Sequence, residues 1–106
     1  MGLQDRVFVL VQNESGHASG DTIMRFGDAE LPFTAEYAGP NVMYGHVVVH
    51  EGRMLYHSLD SDGNLSAGIA RVQLDDSLPT PEMTLEWRWL TGDDSSGTSV
   101  WRQLSE

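Results

Sequence analysis

Val42-Met43-Tyr44-Gly45-His46-Val47-Val48-Val49-His50-Glu51-Gly52-Arg53-Met54-Leu55-Tyr56-His57-Ser58-Leu59 reads as two β-prone runs joined by a dipeptide. Valine, tyrosine and isoleucine-like side chains favour a pleated, half-buried surface, and a two-residue loop ending in glycine supplies the positive φ that a tight hairpin requires. With a two-residue turn, Val49 faces Met54 and His46 lies opposite His57 on one face of the pair. The first run does not say which face is inside. Val42, Tyr44, His46, Val48 and His50 alternate with Met43, Gly45, Val47 and Val49, so both faces are largely apolar. Gly45 gives up packing in the middle of a strand, which marks a bulge, a bend or the close approach of another group.

The same period-two alternation continues in both directions, and no segment keeps helical spacing of apolar residues over three turns. Strands are expected over 6–13, 21–26, 31–38, 42–50, 53–59, 66–74, 84–90 and 98–104. Ser61-Asp62-Gly63-Asn64 is a second hairpin turn, Gly39-Pro40-Asn41 a break, and Leu78-Pro79-Thr80-Pro81 an extended link that cannot sit mid-sheet. The segment from Gly92 to Gly97 is a polar loop at a rim. Short links make consecutive strands antiparallel neighbours, since a parallel crossover needs a dozen or more residues. A meander of about eight strands removes its exposed edges by closing the last strand onto the first, which predicts an all-β up-and-down barrel without substantial helix. A two-sheet sandwich is the alternative. At 106 residues the chain is read as one domain, 1–106.

The composition excludes several functions. Six arginines, no lysine and 16 acidic residues give a formal charge of −10, and the arginines are dispersed singly, which disfavours nucleic acid and an anionic membrane surface. The absence of cysteine removes disulfides, thiolate nucleophiles and cysteine metal sites. Without a leader-like start or an apolar run long enough to span a bilayer, a cytoplasmic location is the default.

On the segment 84–90, Met83, Leu85, Trp87 and Trp89 share one face against Thr84, Glu86 and Arg88, which predicts an indole-rich inner wall and a charged outer one. By the same reading Ile69, with Leu65 and Ala67, forms an apolar face opposed by Ser66, Gly68 and Ala70. Tyr44, Tyr56, Trp87, Trp89 and Trp101 are the aromatic set able to line a pocket for a flat or apolar molecule, or else to fill the barrel completely. His46 and His57 could orient a ligand, transfer protons, or stand as ordinary strand histidines; no further ligand set supports a metal, and none is expected. Glu86 with Arg88 reads as a surface ion pair. Turned inward among indoles, Glu86 would be the best general base. His17 and His50 read as solvent residues, and Asp62-Gly63-Asn64 and Asp93-Asp94 as turn chemistry rather than calcium loops.

Gly45-His46, Asp62-Gly63-Asn64-Leu65, and the run from Glu86-Trp87-Arg88-Trp89 through Gly92-Asp93 to Gly97-Thr98-Ser99 resemble a family of small bacterial proteins with the pattern GH, DGxL and ExWxWTSGDxSxGTS, many labelled N-acetylglutamate synthase. Leu90-Thr91 departs from that pattern, where the family has Thr-Ser. The resemblance implies a calycin-like, lipocalin- or avidin-like small barrel. It does not carry the synthase activity, because an acetyl-CoA-dependent synthase needs a mixed α/β core and a pyrophosphate-binding loop. The leading reading is a barrel binding a small apolar or aromatic molecule without a cofactor. The alternative is a cofactor-independent isomerase or cyclase using His46 or His57 with Glu86. A filled structural module is a third, and a homodimer is a plausible assembly for a barrel this small.

Overall fold

A computed structural model of the chain describes residues 2–13, 22–29, 32–40, 42–92 and 95–104. The strands are β1 (Val7–Asn13), β2 (Ile23–Phe26), β3 (Phe33–Ala38), β4 (Val42–His50), β5 (Arg53–Asp60), β6 (Leu65–Asp75), β7 (Glu82–Trp89) and β8 (Ser96–Gln103). Each pairs antiparallel with the next, and β8 pairs antiparallel with β1, so the sheet closes into an eight-stranded barrel in sequence order. There is no helix among the described residues. His17 and Asp93-Asp94 lie outside the described residues, as do the expected first residues of the second and third strands.

The two hairpin turns form as their chemistry dictates. Glu51 and Gly52 both take positive φ, 53° and 73°, the geometry that matches the strands' right-handed twist. The resulting register places Val49 opposite Met54 and His46 opposite His57. After β5, the Asp60 carboxylate accepts hydrogen bonds from the backbone N–H of Asp62 at 2.9 Å and of Asn64 at 2.8 Å, and from Asn64 Nδ2 at 3.1 Å. Those bonds, led by the Asn64 backbone, favour the ionised form and hold the Asp60 carboxyl below its ordinary range.

Two bulges reset the inward–outward alternation, one between Leu10 and Gln12 against β8 and one between Val42 and Tyr44 against β5. One extra residue sends the side chains on its two sides to opposite faces. Phe8 and Leu10 therefore share the interior with Asn13, and Val42 joins Gly45 and Val47 rather than Tyr44. On β6 the expected inner face is reversed: Leu65 and Ile69 are 80% and 45% exposed, whereas Gly68, Ala70 and Val72 are buried. The register explains this, because Gly68 lies between Tyr56 and Trp89, and Ala70 lies opposite Trp87. Neighbours of that size leave room only for the smallest side chains.

Two tyrosines occupy the space that glycines leave. The Tyr37 ring covers Gly45, where an added Cβ would lie 2.6 Å from a ring carbon. The Tyr56 ring covers Gly68, whose added Cβ would also meet the Arg88 carbonyl oxygen at 2.5 Å. Each phenol reaches over the notched strand to the strand beyond it, Tyr37 across β4 to donate to the His57 carbonyl on β5 at 3.2 Å and Tyr56 across β6 to donate to the Arg88 carbonyl on β7 at 2.9 Å. At the end of the barrel carrying the Glu51-Gly52 turn, Leu3, Phe8 and Met83 are completely buried and Val49 nearly so. Phe8 meets Phe26 edge-on, with centroids 6.0 Å apart. That end is plugged.

Gly68→Ala is expected to destabilise the barrel by about 1–3 kcal/mol, because backbone as well as a ring must shift to admit the methyl group. Gly2→Ala, with open space around its Cβ, should be close to neutral. Urea midpoints of the two variants, measured side by side, check the difference.

Candidate functional site

Away from the plug, the interior opens into a cavity of about 770 Å³. Its walls carry Trp87 and Trp89 from β7, Trp101 from β8, Tyr56 from β5 and Tyr37 from β3. Its apolar floor is made by Leu10, Met24, Val47, Met54 and Leu85, and its mouth by the 60–64 turn, Leu65, Thr91, Gly92 and Ser95. Period-two alternation puts both β7 indoles on one face, and the inward turn of that face is set by Met83 and Leu85, buried beside them in the core. Trp89 stands edge-on to Tyr56 with centroids 4.7 Å apart, so the phenol that fills the Gly68 notch also braces an indole.

Few polar groups reach this interior. Ser58 and Ser99 are buried, and Ser99 Oγ accepts the Trp101 indole N–H at 2.9 Å. Trp87 Nε1 is enclosed and has no acceptor among the described residues, and Asn13 Oδ1 and Thr22 Oγ1 are likewise unpaired; all three residues line the cavity. A buried polar group left without a partner costs about 1–3 kcal/mol. Burial also pushes the phenols of Tyr37 and Tyr56 above the ordinary tyrosine range, Tyr56 strongly, against the smaller opposing effects of their hydrogen bonds to Ser58 and to the Arg88 backbone.

The structure divides the residues anticipated from sequence into two groups. Tyr56, Trp87, Trp89 and Trp101 border the cavity, whereas Tyr44, His46, His57 and Glu86 do not. The expectation that Tyr44 lines a pocket is corrected: its ring is half-exposed on the outer wall, 4.4 Å from the His46 ring, which stacks at 5.8 Å on His57. The two imidazoles are neighbours, as the register required, but on the solvent side, with Glu36 Oε1 at 4.0 Å from His46 Nε2. Glu86 is exposed opposite Arg71 and Thr98, so an acid–base pair built from it and either histidine would have no enclosure. The reason is the β4 bulge and the Gly45 notch, which fix Gly45, Val47 and Val49 inside and leave Tyr44, His46, Val48 and His50 out. Tyr37, Asn13, Thr22 and Ser58 were not anticipated, and Ser99 entered only as part of the Gly97-Thr98-Ser99 signature. A signal for Tyr37 existed in Gly45, which demanded a neighbour close by; Asn13 comes inward only through a bulge. Among the described residues no three histidine, aspartate or glutamate side chains converge as a metal site.

A closed antiparallel barrel, sealed at one end and hollow at the other with aromatic walls, defines a cup-like class of β-barrel suited in general to small molecules. The chain belongs to the avidin-like protein family, whose family model matches residues 1–104. No curated protein and no solved structure matches the chain.

The raised pKa values of Tyr37 and Tyr56 make stability depend on pH in the alkaline range. Without lysine or cysteine, tyrosines are the side chains that titrate between about pH 9 and pH 11. A folded-state value above the unfolded one gives stability that is fully present below the unfolded value near 10 and lost as pH rises through and beyond it. The urea midpoint of the native chain should therefore fall over that range, and that of Tyr56→Phe should fall less. Equal slopes for the two proteins would contradict burial of the Tyr56 phenol.

Proposed function

We propose that this barrel binds a small, flat, largely apolar molecule, taken in through the open end and held between the Trp89, Trp87 and Trp101 indoles. The observation that carries the reading is a cavity of about 770 Å³ whose walls are aromatic, while the other end of the barrel is closed by the buried side chains of Leu3, Phe8, Met83 and Val49. A barrel evolved for rigidity alone would extend the packing of Phe8, Phe26 and Met83 along its whole length, since close-packed interiors are the more stable solution. Burying apolar ligand surface here gains roughly 25 cal/mol per Å² before the costs of association. Orientation falls to the inward polar atoms: the Trp87 indole N–H as a donor and Asn13 Oδ1 as an acceptor, with the Ser58 and Tyr37 hydroxyls beside them. His46 and His57 take no part.

Titration with the neutral, solvent-sensitive dye Nile red tests this. Enhanced, saturable fluorescence is expected, with Kd weakened about tenfold in Trp89→Ala, equivalent to about 1.4 kcal/mol, and unchanged in His57→Ala. Failure to bind, or sensitivity to His57 instead of Trp89, would overturn the proposal.

A further inference from the structure

The charges of this chain are sorted by location. The sequence has six arginines and no lysine, and every arginine lies among the described residues. None of them borders the cavity. Arg25, Arg53, Arg71, Arg88 and Arg102 are exposed on the outer wall, and Arg6 sits near the plugged end, paired with Asp76 at 2.6 Å. His46, His50 and His57 are also on strands' outer faces. The mouth, by contrast, carries Asp60 and Asp62. Asp60 is committed to its turn, accepting hydrogen bonds from Asp62 and Asn64, which fixes one carboxylate at the lip. The aromatic faces of Trp89 and Tyr56 just inside add a quadrupole that attracts cations, and the chain's net charge of −10 raises the cost of bringing in an anion.

We infer that the cavity discriminates by charge: for one apolar body, it takes a ligand with a cationic group most tightly, a neutral one next, and an anionic one least. The inference rests on the cavity being a binding site, as proposed above, and adds the chemical class of the occupant. A carboxylate or phosphate on the ligand would meet no arginine, lysine or described histidine there, and would face the two mouth carboxylates. A protonated amine of the same shape would turn its charge toward those carboxylates with its hydrocarbon portion among the indoles.

Isothermal titration calorimetry with naphthylethylamine, naphthylethanol and naphthylacetate near neutral pH tests the ranking, because the three share one ring system and differ in charge. Each carboxylate some 8 Å away across solvent changes affinity about twofold, so the amine should bind at least about fivefold more tightly than the acetate. Raising the salt to about 0.5 M should shrink that ratio, and Asp62→Asn should lower it about fourfold, with about twofold from each ligand. Asp60 is left intact because its substitution would undo the turn. Acetate binding as tightly as the alcohol, or a ratio indifferent to both salt and Asp62→Asn, overturns the charge inference alone. Failure of all three compounds to bind overturns the binding reading together with it.

Discussion

The interior of a closed eight-stranded barrel has a width set by its closure, so every large side chain turned inward must be matched by a small one beside it. Here the matching is done by glycine and alanine. Gly45 receives the Tyr37 ring, Gly68 receives Tyr56 and lies beside Trp89, and Ala70 faces Trp87. Remove the notches and the aromatic wall cannot stand inside the sheet. The tyrosine hydroxyls then fasten the arrangement to carbonyls one strand beyond each notch, which gives both phenols a partner while holding the rings over the glycines.

From that constraint follows the division of the barrel into two halves. Toward the Glu51-Gly52 turn the inward side chains are phenylalanine, methionine, leucine and valine, flexible or compact enough to interdigitate to high density, and Leu3 folds back over them as a cap. Toward the other end the inward set is rigid and aromatic, with serines between. Flat rings held apart by hydrogen bonds and notches leave space rather than fill it, and that space is the cavity. The outer wall is built on different terms, with ion pairs such as Arg102 and Glu82 at 3.2 Å joining neighbouring strands. Segregation of cations to the outside leaves an interior whose polarity comes from hydroxyls, indole N–H groups and the carboxylates of the mouth.

Strand order and the hairpin register were legible because both depend on local chemistry: a Glu-Gly turn and a period of two fix His46 against His57 without knowledge of anything distant. The β7 indoles were legible for the same reason. What could not be read was the sense of the strands whose two faces are equally apolar. On β6, hydrophobicity favoured Leu65, Ala67 and Ile69 as the inner set, yet the size of Tyr56 and Trp87 across the sheet decided for Gly68 and Ala70. Bulges are equally silent in a sequence, and one of them sends Tyr44 outward while turning Val42 in. The polar part of the site was hidden by the same two effects. Asn13 and Tyr37 come to share the cavity with the indoles only once a bulge and a glycine notch are in place.

Binding inside the barrel requires that the indoles face an accessible interior while the imidazoles face away from it. Nuclear magnetic resonance of isotope-labelled protein titrated with naphthylethanol separates the two walls in one experiment. The indole N–H resonances of Trp87 and Trp89 should shift in a saturable way while the imidazole ring signals of His46 and His57 stay in place. Movement of the imidazoles with unmoved indoles would contradict the account, because the apolar molecule would then be lodging on the outside of the barrel.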